Sequence, residues 1–346
     1  MPSIIVPDPA VNPPQTNAYG SDWGATDDGA GYVYVAFHDA SHLYVMHERA
    51  DGGWDTAMVG FPFASFQPDA LLPGSLALNG QGRPSMAGHL GNNVVVASMG
   101  EGPWYLDGAW TFETLAMPID NLYVEPNPTR VPFMTLAYDR AGAPHVVYVA
   151  ETPYYVPLHP ATVWHVARGQ TPTVVALQEG YVAMQLDSTG TPYVVNSTNV
   201  SRSSGSAWQS LSYDNSAGTT ALNPLLEFVD GSGNVCVGNT DSAGTALVAT
   251  CFAGATGTSQ TLASTATLLE AAAVGADGGL KVLVGRANQN VIVDARTGMV
   301  ERVLVPDAAL AQQSWRYLTR ARMVVTSTGT RVIYYGSDGH LHISRC

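Results

Sequence analysis

One short pattern recurs seven times along the chain: a turn-forming residue, two intervening residues, a glycine, then alternating apolar residues. It reads DDGAGYVYVAF around Gly31, LNGQGRPSMAG around Gly82, YDRAGAPHVVY around Gly142 and LDSTGTPYVVN around Gly190. The series continues with VDGSGNVCVGN around Gly233, GADGGLKVLVG around Gly278 and TSTGTRVIYYG around Gly329. Successive glycines stand 43 to 60 residues apart. A repeat of that length is one supersecondary unit, which buries its apolar face only by stacking on a neighbour.

The turn chemistry is specific. Asp28, Asn79, Asp139, Asp187 and Asp230 each stand three residues before their glycine. An Asp or Asn at the first turn position accepts hydrogen bonds from backbone N–H groups ahead of it, and the glycine supplies positive φ. These five residues are read as turn formers rather than catalytic groups.

Each copy continues past its hairpin into a third alternating run, such as HLYVMHE, NNVVVAS or TVWHVAR. In several copies a fourth run follows, entered by Gly-x-Trp or Ser-x-Trp at Trp54, Trp110 and Trp208, whose indoles are expected between units. Four short strands per unit predict a propeller blade; a β-sandwich does not repeat in this way. The last copy stops at Cys346 after its third strand, and SIIVP at Ser3 to Pro7 supplies the missing one. The expected fold is all-β: a seven-bladed β-propeller, four antiparallel strands per blade, closed by the N-terminal strand. Residues 1–346 then form a single domain. One short helix is expected over PDAALAQQSWRYLTR, residues 306–320, where Pro306 and Asp307 make a plausible start.

Composition narrows the partners. Formal net charge is −13 and Lys281 is the only lysine, so no basic patch exists to neutralise nucleic acid. No apolar run reaches membrane-spanning length. The start, MPSIIVPDPA, shows no signal-peptide pattern.

The repeated D-x-x-G-x-P-H-V-x-Y, followed by G-x-W, resembles the BNR/sialidase-like propellers of bacterial secreted proteins. The resemblance runs over nearly the whole chain at the level of blade pattern; complete Asp boxes, Ser-x-Asp-x-Gly-x-x-Thr-Trp, are absent. It implies an architecture, an extracellular or periplasmic location and, by analogy, a polysaccharide or other glycan as partner.

The site is sought where connections are long. All seven hairpin turns are tight, while residues 8–23, 58–74, 116–132 and 151–162 form long connections expected on the opposite face. Most belong to neighbouring blades seven, one, two and three. At the end of the second strand, seven residues past the turn glycine, stand His38 and His89. Imidazole suits proton transfer near neutral pH, and tyrosine serves beside it. His38, His89, Tyr155 and His159 are the candidate catalytic groups, for a polysaccharide lyase or a glycoside hydrolase. Glu151, Arg286, Tyr123, Arg130 and Trp23 are candidate substrate-binding groups, since arginine neutralises a substrate carboxylate. The competing readings are a lectin with repeated shallow pockets, a protein-interaction scaffold, and polar residues that merely line a water-filled channel. Loops that differ between blades count against seven equal lectin sites.

No cofactor motif and no metal site is read. His340 and His342 share a strand face, but no third ligand can be named. Cys236 and Cys251 flank a blade-five turn and are expected to face each other, leaving Cys346 odd. Asn196 and Asn199 open two glycosylation sequons.

Overall fold

The computed structural model describes residues 4–5, 23–38, 43–59, 66–67, 76–90, 93–100, 110–116, 134–150, 161–178, 182–196, 199–213, 226–240, 246–264, 268–275, 279–286, 289–295, 297, 299–303, 321–335 and 341–346. At several strand ends, His38 and His89 among them, only the backbone is described.

These residues form seven antiparallel sheets, and the chain is a seven-bladed propeller. β1 (Ile4–Ile5) stands apart at the start. Blade one is β2 (Trp23–Asp27), β3 (Val33–His38), β4 (Leu43–Glu48) and β5 (Trp54–Val59). Blade two contains β6 (Phe66–Gln67), β7 (Leu76–Leu78), β8 (Pro84–Leu90), β9 (Asn93–Met99) and β10 (Trp110–Ala116). Blade three is β11 (Met134–Tyr138), β12 (Pro144–Ala150), β13 (Ala161–Ala167) and β14 (Thr173–Gln178). Blade four is β15 (Val182–Leu186), β16 (Pro192–Asn196), β17 (Val200–Ser203) and β18 (Trp208–Leu211). Blade five is β19 (Leu226–Val229), β20 (Val235–Thr240), β21 (Ala246–Ala253) and β22 (Thr256–Ser264). Blade six is β23 (Leu268–Val274), β24 (Leu280–Arg286), β25 (Gln289–Asp294) and β26 (Val300–Val303). Blade seven is β27 (Ala321–Thr326), β28 (Gly329–Tyr335) and β29 (Leu341–Arg345), completed by β1.

The first strand of each blade touches that of the next, and β27 of blade seven touches β2 of blade one, so the ring is closed. As expected, the N-terminal strand completes the last blade: Ile4 pairs with Ile343 and Ile5 with His342. No helix occurs among the described residues, and the expected one at 306–320 lies outside them.

The middle strands explain why the ring forms. Val94, Val95, Val96 and Ala97 are consecutive in β9 and all buried. Consecutive burial means both faces of the blade are covered, which is why these strands read as apolar runs. One apolar cluster lies between blades one and two, uniting Tyr34 and Ala36 with Met86, Val95 and Trp110. Equivalent clusters fill the other six interfaces. The three tryptophans behave alike: Trp54, Trp110 and Trp208 open their fourth strands and pack with residues of the preceding blade.

The connection at 58–74 is shorter than the sequence implies. β5 runs on to Val59, and the two-residue β6 pairs Phe66 with Leu90 and Gln67 with His89. β6 thus continues the inner edge of blade two beyond the three-residue β7, which pairs only the turn end of β8.

A buried ion network locks the closure. Glu48 of β4 is 1% exposed and receives Arg331 Nε of β28 at 3.0 and 3.2 Å. Arg345 of β29 lies 2.7 Å from the same carboxylate. Arg331 also donates to the Thr328 hydroxyl at 3.0 Å, and that hydroxyl donates to the Gly31 carbonyl across the blade boundary. Removing one member of a buried pair leaves an uncompensated charge, at about 3–5 kcal/mol. Glu48→Gln is therefore expected to lower unfolding stability by about that amount, measured by chemical denaturation. A loss below about 1 kcal/mol would assign the network the small weight of a surface ion pair.

Candidate functional site

The two ends of the propeller differ. At one end are the first-to-second-strand turns, five of them held by an Asp or Asn at the first position. Asp28 Oδ1 accepts from Ala30 N at 2.8 Å and Tyr32 N at 2.9 Å. Asn79, Asp139, Asp187 and Asp230 repeat the arrangement at 2.8–3.0 Å. These residues are the turn formers that the spacing predicts. Burial alone would raise the Asp28, Asp139 and Asp187 carboxyls, but the hydrogen bonds outweigh it and hold all three below the usual range.

Neighbouring turns also pack on one another. Gly233 of blade five has φ +80° and lies against Ser188 of blade four, where a Cβ would approach to 2.3 Å. Ser188 N donates to the Gly233 carbonyl at 2.8 Å. Gly31 meets Ser327 and Thr328 of blade seven in the same way. Turn-to-turn contact with satisfied backbone groups commits these described turns to packing.

Beneath the turns lies a polar layer, with an opposed cross-strand pair in blades one, two, four and five. Tyr34 faces and stacks on His47, whose Nε2 lies 2.8 Å from Asp28 Oδ2. Ser85 donates to Ser98 at 2.8 Å. Arg202 Nε donates to the Tyr193 hydroxyl at 2.9 Å, and that hydroxyl donates to the Gly254 carbonyl at 2.9 Å. In blade five the pair is Cys236 and Cys251, directly opposed as expected, 4.0 Å apart at Cα and joined as a disulfide.

Blade three holds the most perturbed groups. His145 and His165 are 7% and 5% exposed, and His145 Nδ1 lies 3.0 Å from His165 Nε2. One proton serves that contact; a second would set two donors face to face. Asp139 Oδ2 stands 3.6 Å from His145 Nε2 on the far side. Burial pushes His165 down to about 3, with His145 adding to the effect. His145 is also lowered by burial, against the opposing pull of Asp139. Both rings are thus neutral at pH 7, suited to structure rather than to proton shuttling. Sequence reasoning assigned no role to His47, His145 or His165. The signal available was position: Tyr34 and His145 both stand six residues past their turn acid. The Tyr148 hydroxyl, also buried, finds no hydrogen-bond partner among the described residues.

Four of the candidate site residues belong to the other end. Trp23 opens β2, His38 and Arg286 close β3 and β24, and His89 is the penultimate residue of β8. All four backbones stand at the strand ends away from the tight turns. His38 pairs with Leu43, while His89 is flanked by Gln67 of β6 and Val94 of β9. Tyr123, Arg130, Glu151, Tyr155 and His159 lie outside the described residues. Asn196 is buried and its side-chain Oδ1 accepts Asn199 N–H at 2.8 Å.

No protein-family model matches the chain, and no curated protein matches it. Solved structures do. Oligogalacturonate lyase from Vibrio parahaemolyticus aligns with a TM-score of 0.59 at 6% identity, over 94% of this chain and 89% of that one. A catalytically inactive virginiamycin B lyase from Staphylococcus aureus aligns at 0.54 and 11% identity, over 100% and 98%. Polysaccharide lyase Uly1 aligns at 0.50 and 9% identity, over 94% and 90%. At such identities the likeness is one of fold. No helix among the described residues is long and apolar enough to cross a membrane.

The buried imidazoles make stability depend on pH. Their folded values lie below the ordinary 6.5, so the unfolded chain binds more protons once pH falls under about 6.5. Their contribution is complete above that value and is lost as pH drops toward about 3. The slope is about 1.4 kcal/mol per pH unit for each ring kept neutral. The turn acids add their own loss only below their ordinary 3.8, so roughly pH 6 to 4.5 isolates the histidines. Urea unfolding across that window is expected to show the slope in the natural protein, and His165→Gln to flatten it by about 1.4 kcal/mol per unit. An unchanged slope would mean that His165 titrates as an exposed histidine does.

Proposed function

We propose that the chain is a glycan-processing propeller that cleaves a uronate-containing polysaccharide by β-elimination at the end opposite the tight turns. The observation that carries this reading is the asymmetry of the two ends. At one end neighbouring turns pack on one another, and the strand ends bearing Trp23, His38, His89 and Arg286 belong to the other. Two of the fold neighbours named above act on glycans by name, and all three are lyases. The disulfide suits an oxidising compartment, and we place the protein outside the cytoplasm on that ground.

The chemistry assigns the roles. A base removes the proton beside the uronate carboxyl, the carboxylate carries the developing charge, and an acid protonates the departing glycosidic oxygen. His38 and His89 are the proposed base and acid, with Tyr155 and His159 beside them. Arg286 and Arg130 neutralise the carboxylate, Trp23 and Tyr123 offer ring faces to sugars, and Glu151 accepts from hydroxyls.

A panel of acidic polysaccharides, read by the ultraviolet absorbance of unsaturated uronates and by new reducing ends, tests the reading. His38→Ala and His89→Ala are each expected to lower turnover by about 10²-fold or more, the scale of a lost general acid or base, with thermal unfolding unchanged. Reducing ends without unsaturation would indicate hydrolysis. Binding without any product would indicate a lectin. Either variant at full activity would overturn the assignment of that histidine.

A further inference from the structure

Asp230, Cys236 and Cys251 bring one carboxylate oxygen and two sulfurs within 4.8 Å of one another. We propose that, when the disulfide is reduced, these three residues form a binding site for a soft divalent cation such as zinc or cadmium. Three observations combine.

The first is that the ligands stay in place without the sulfur–sulfur bond. Cys236 and Cys251 are directly opposed in a ladder that continues on both sides, Val235 with Phe252 and Val237 with Thr250. Backbone pairing therefore holds the two sulfurs on one side of the hairpin.

The second is that Asp230 is fixed independently. Its Oδ1 accepts from Ser232 N and Asn234 N at 2.9 Å each, and Oδ2 from the Asn234 side chain at 3.1 Å. Those partners orient the carboxylate without neutralising it, as hydrogen bonds behind a metal ligand do.

The third is the position itself. In blade one the same layer brings turn acid Asp28 to His47 at 2.8 Å, so turn acid over a cross-strand residue is a recurring contact of this fold. Blade five fills that layer with two sulfurs. Phe228, Ala249 and Leu280 make a dry wall behind Cys236, while Cys251 is partly exposed and gives an entry path.

The chemistry balances. A small-molecule dithiol or phosphine supplies two electrons, the S–S bond breaks, and two protons give two thiols. The cation then displaces both protons, leaving two thiolates and one carboxylate as ligands and a fourth position for water. Two thiolates favour zinc or cadmium over magnesium or calcium. The same three residues would thus cross-link the hairpin in both redox states, by metal in a reducing compartment and by disulfide in an oxidising one.

The test uses the full chain carrying Cys346→Ser, so that the third thiol does not contribute. After phosphine reduction and removal of reductant without air, cadmium is titrated and thiolate-to-cadmium charge-transfer absorbance is read. One equivalent is expected to bind the reduced protein and none the oxidised protein. Binding should vanish in Cys236→Ser and Cys251→Ser and weaken about tenfold or more in Asp230→Asn. Cadmium should also protect both thiols of the reduced protein from alkylation, a readout that needs no ligand variant. No charge-transfer band, or alkylation at an unchanged rate, would overturn the site. Asp230→Asn binding as tightly as the natural residue would remove the carboxylate from it.

Discussion

A blade with apolar residues on both faces is stable only when both neighbours are in place, and the rest of the structure follows from that constraint. Val94 to Ala97 of β9 are buried side by side, so neither face of the blade meets water along this strand. A stack of such blades has two unstable ends unless the ends meet. Closure by β1 on β29 supplies the fourth strand of blade seven and covers an edge that would otherwise offer unpaired backbone groups. The Glu48, Arg331 and Arg345 network sits at that same boundary. A buried charge network costs desolvation and is weak evidence of net stability, but it penalises a misaligned junction heavily. That suits the boundary that joins the two most distant parts of the chain.

The turn acids do more than shape hairpins. Each saturates backbone donors at one end of a blade, and in blades one and three its second oxygen reaches a histidine of the layer beneath. Glycine at the turn lets the adjacent turn approach, and a side chain there would collide with it, as Gly233 and Ser188 show. One end of the ring is thereby committed to packing. The polar layer under it is locked by Tyr34 with His47, Ser85 with Ser98 and Tyr193 with Arg202, and holds two imidazoles neutral in blade three. Groups so occupied carry structure.

The same layer shows how one backbone position takes different chemistries. The pairs opposed there are aromatic and imidazole in blade one, hydroxyls in blade two, phenol and guanidinium in blade four, and sulfurs in blade five. Such substitution without change of backbone is what a repeat fold permits, because each blade contacts only its neighbours.

Blade number, strand order and the closing strand were legible in the sequence because turn residues and alternating burial are local: Asp139 and Gly142 define a hairpin wherever they sit. The pairing of Cys236 with Cys251 was legible for the same reason, as both flank one turn. His38 and His89 could be set at equal offsets from Gly31 and Gly82, so their places at strand ends were readable, while any convergence depends on connections between blades. Tertiary structure alone decided the rest. Arg331 and Glu48 are 283 residues apart, and β6 takes up the inner edge of blade two only because β7 stops short. His145 and His165 are buried neutral because blade four, with Trp208 edge-on to His165, covers them. Periodicity fixes what one blade is; which side chains lose water depends on the blade packed against it.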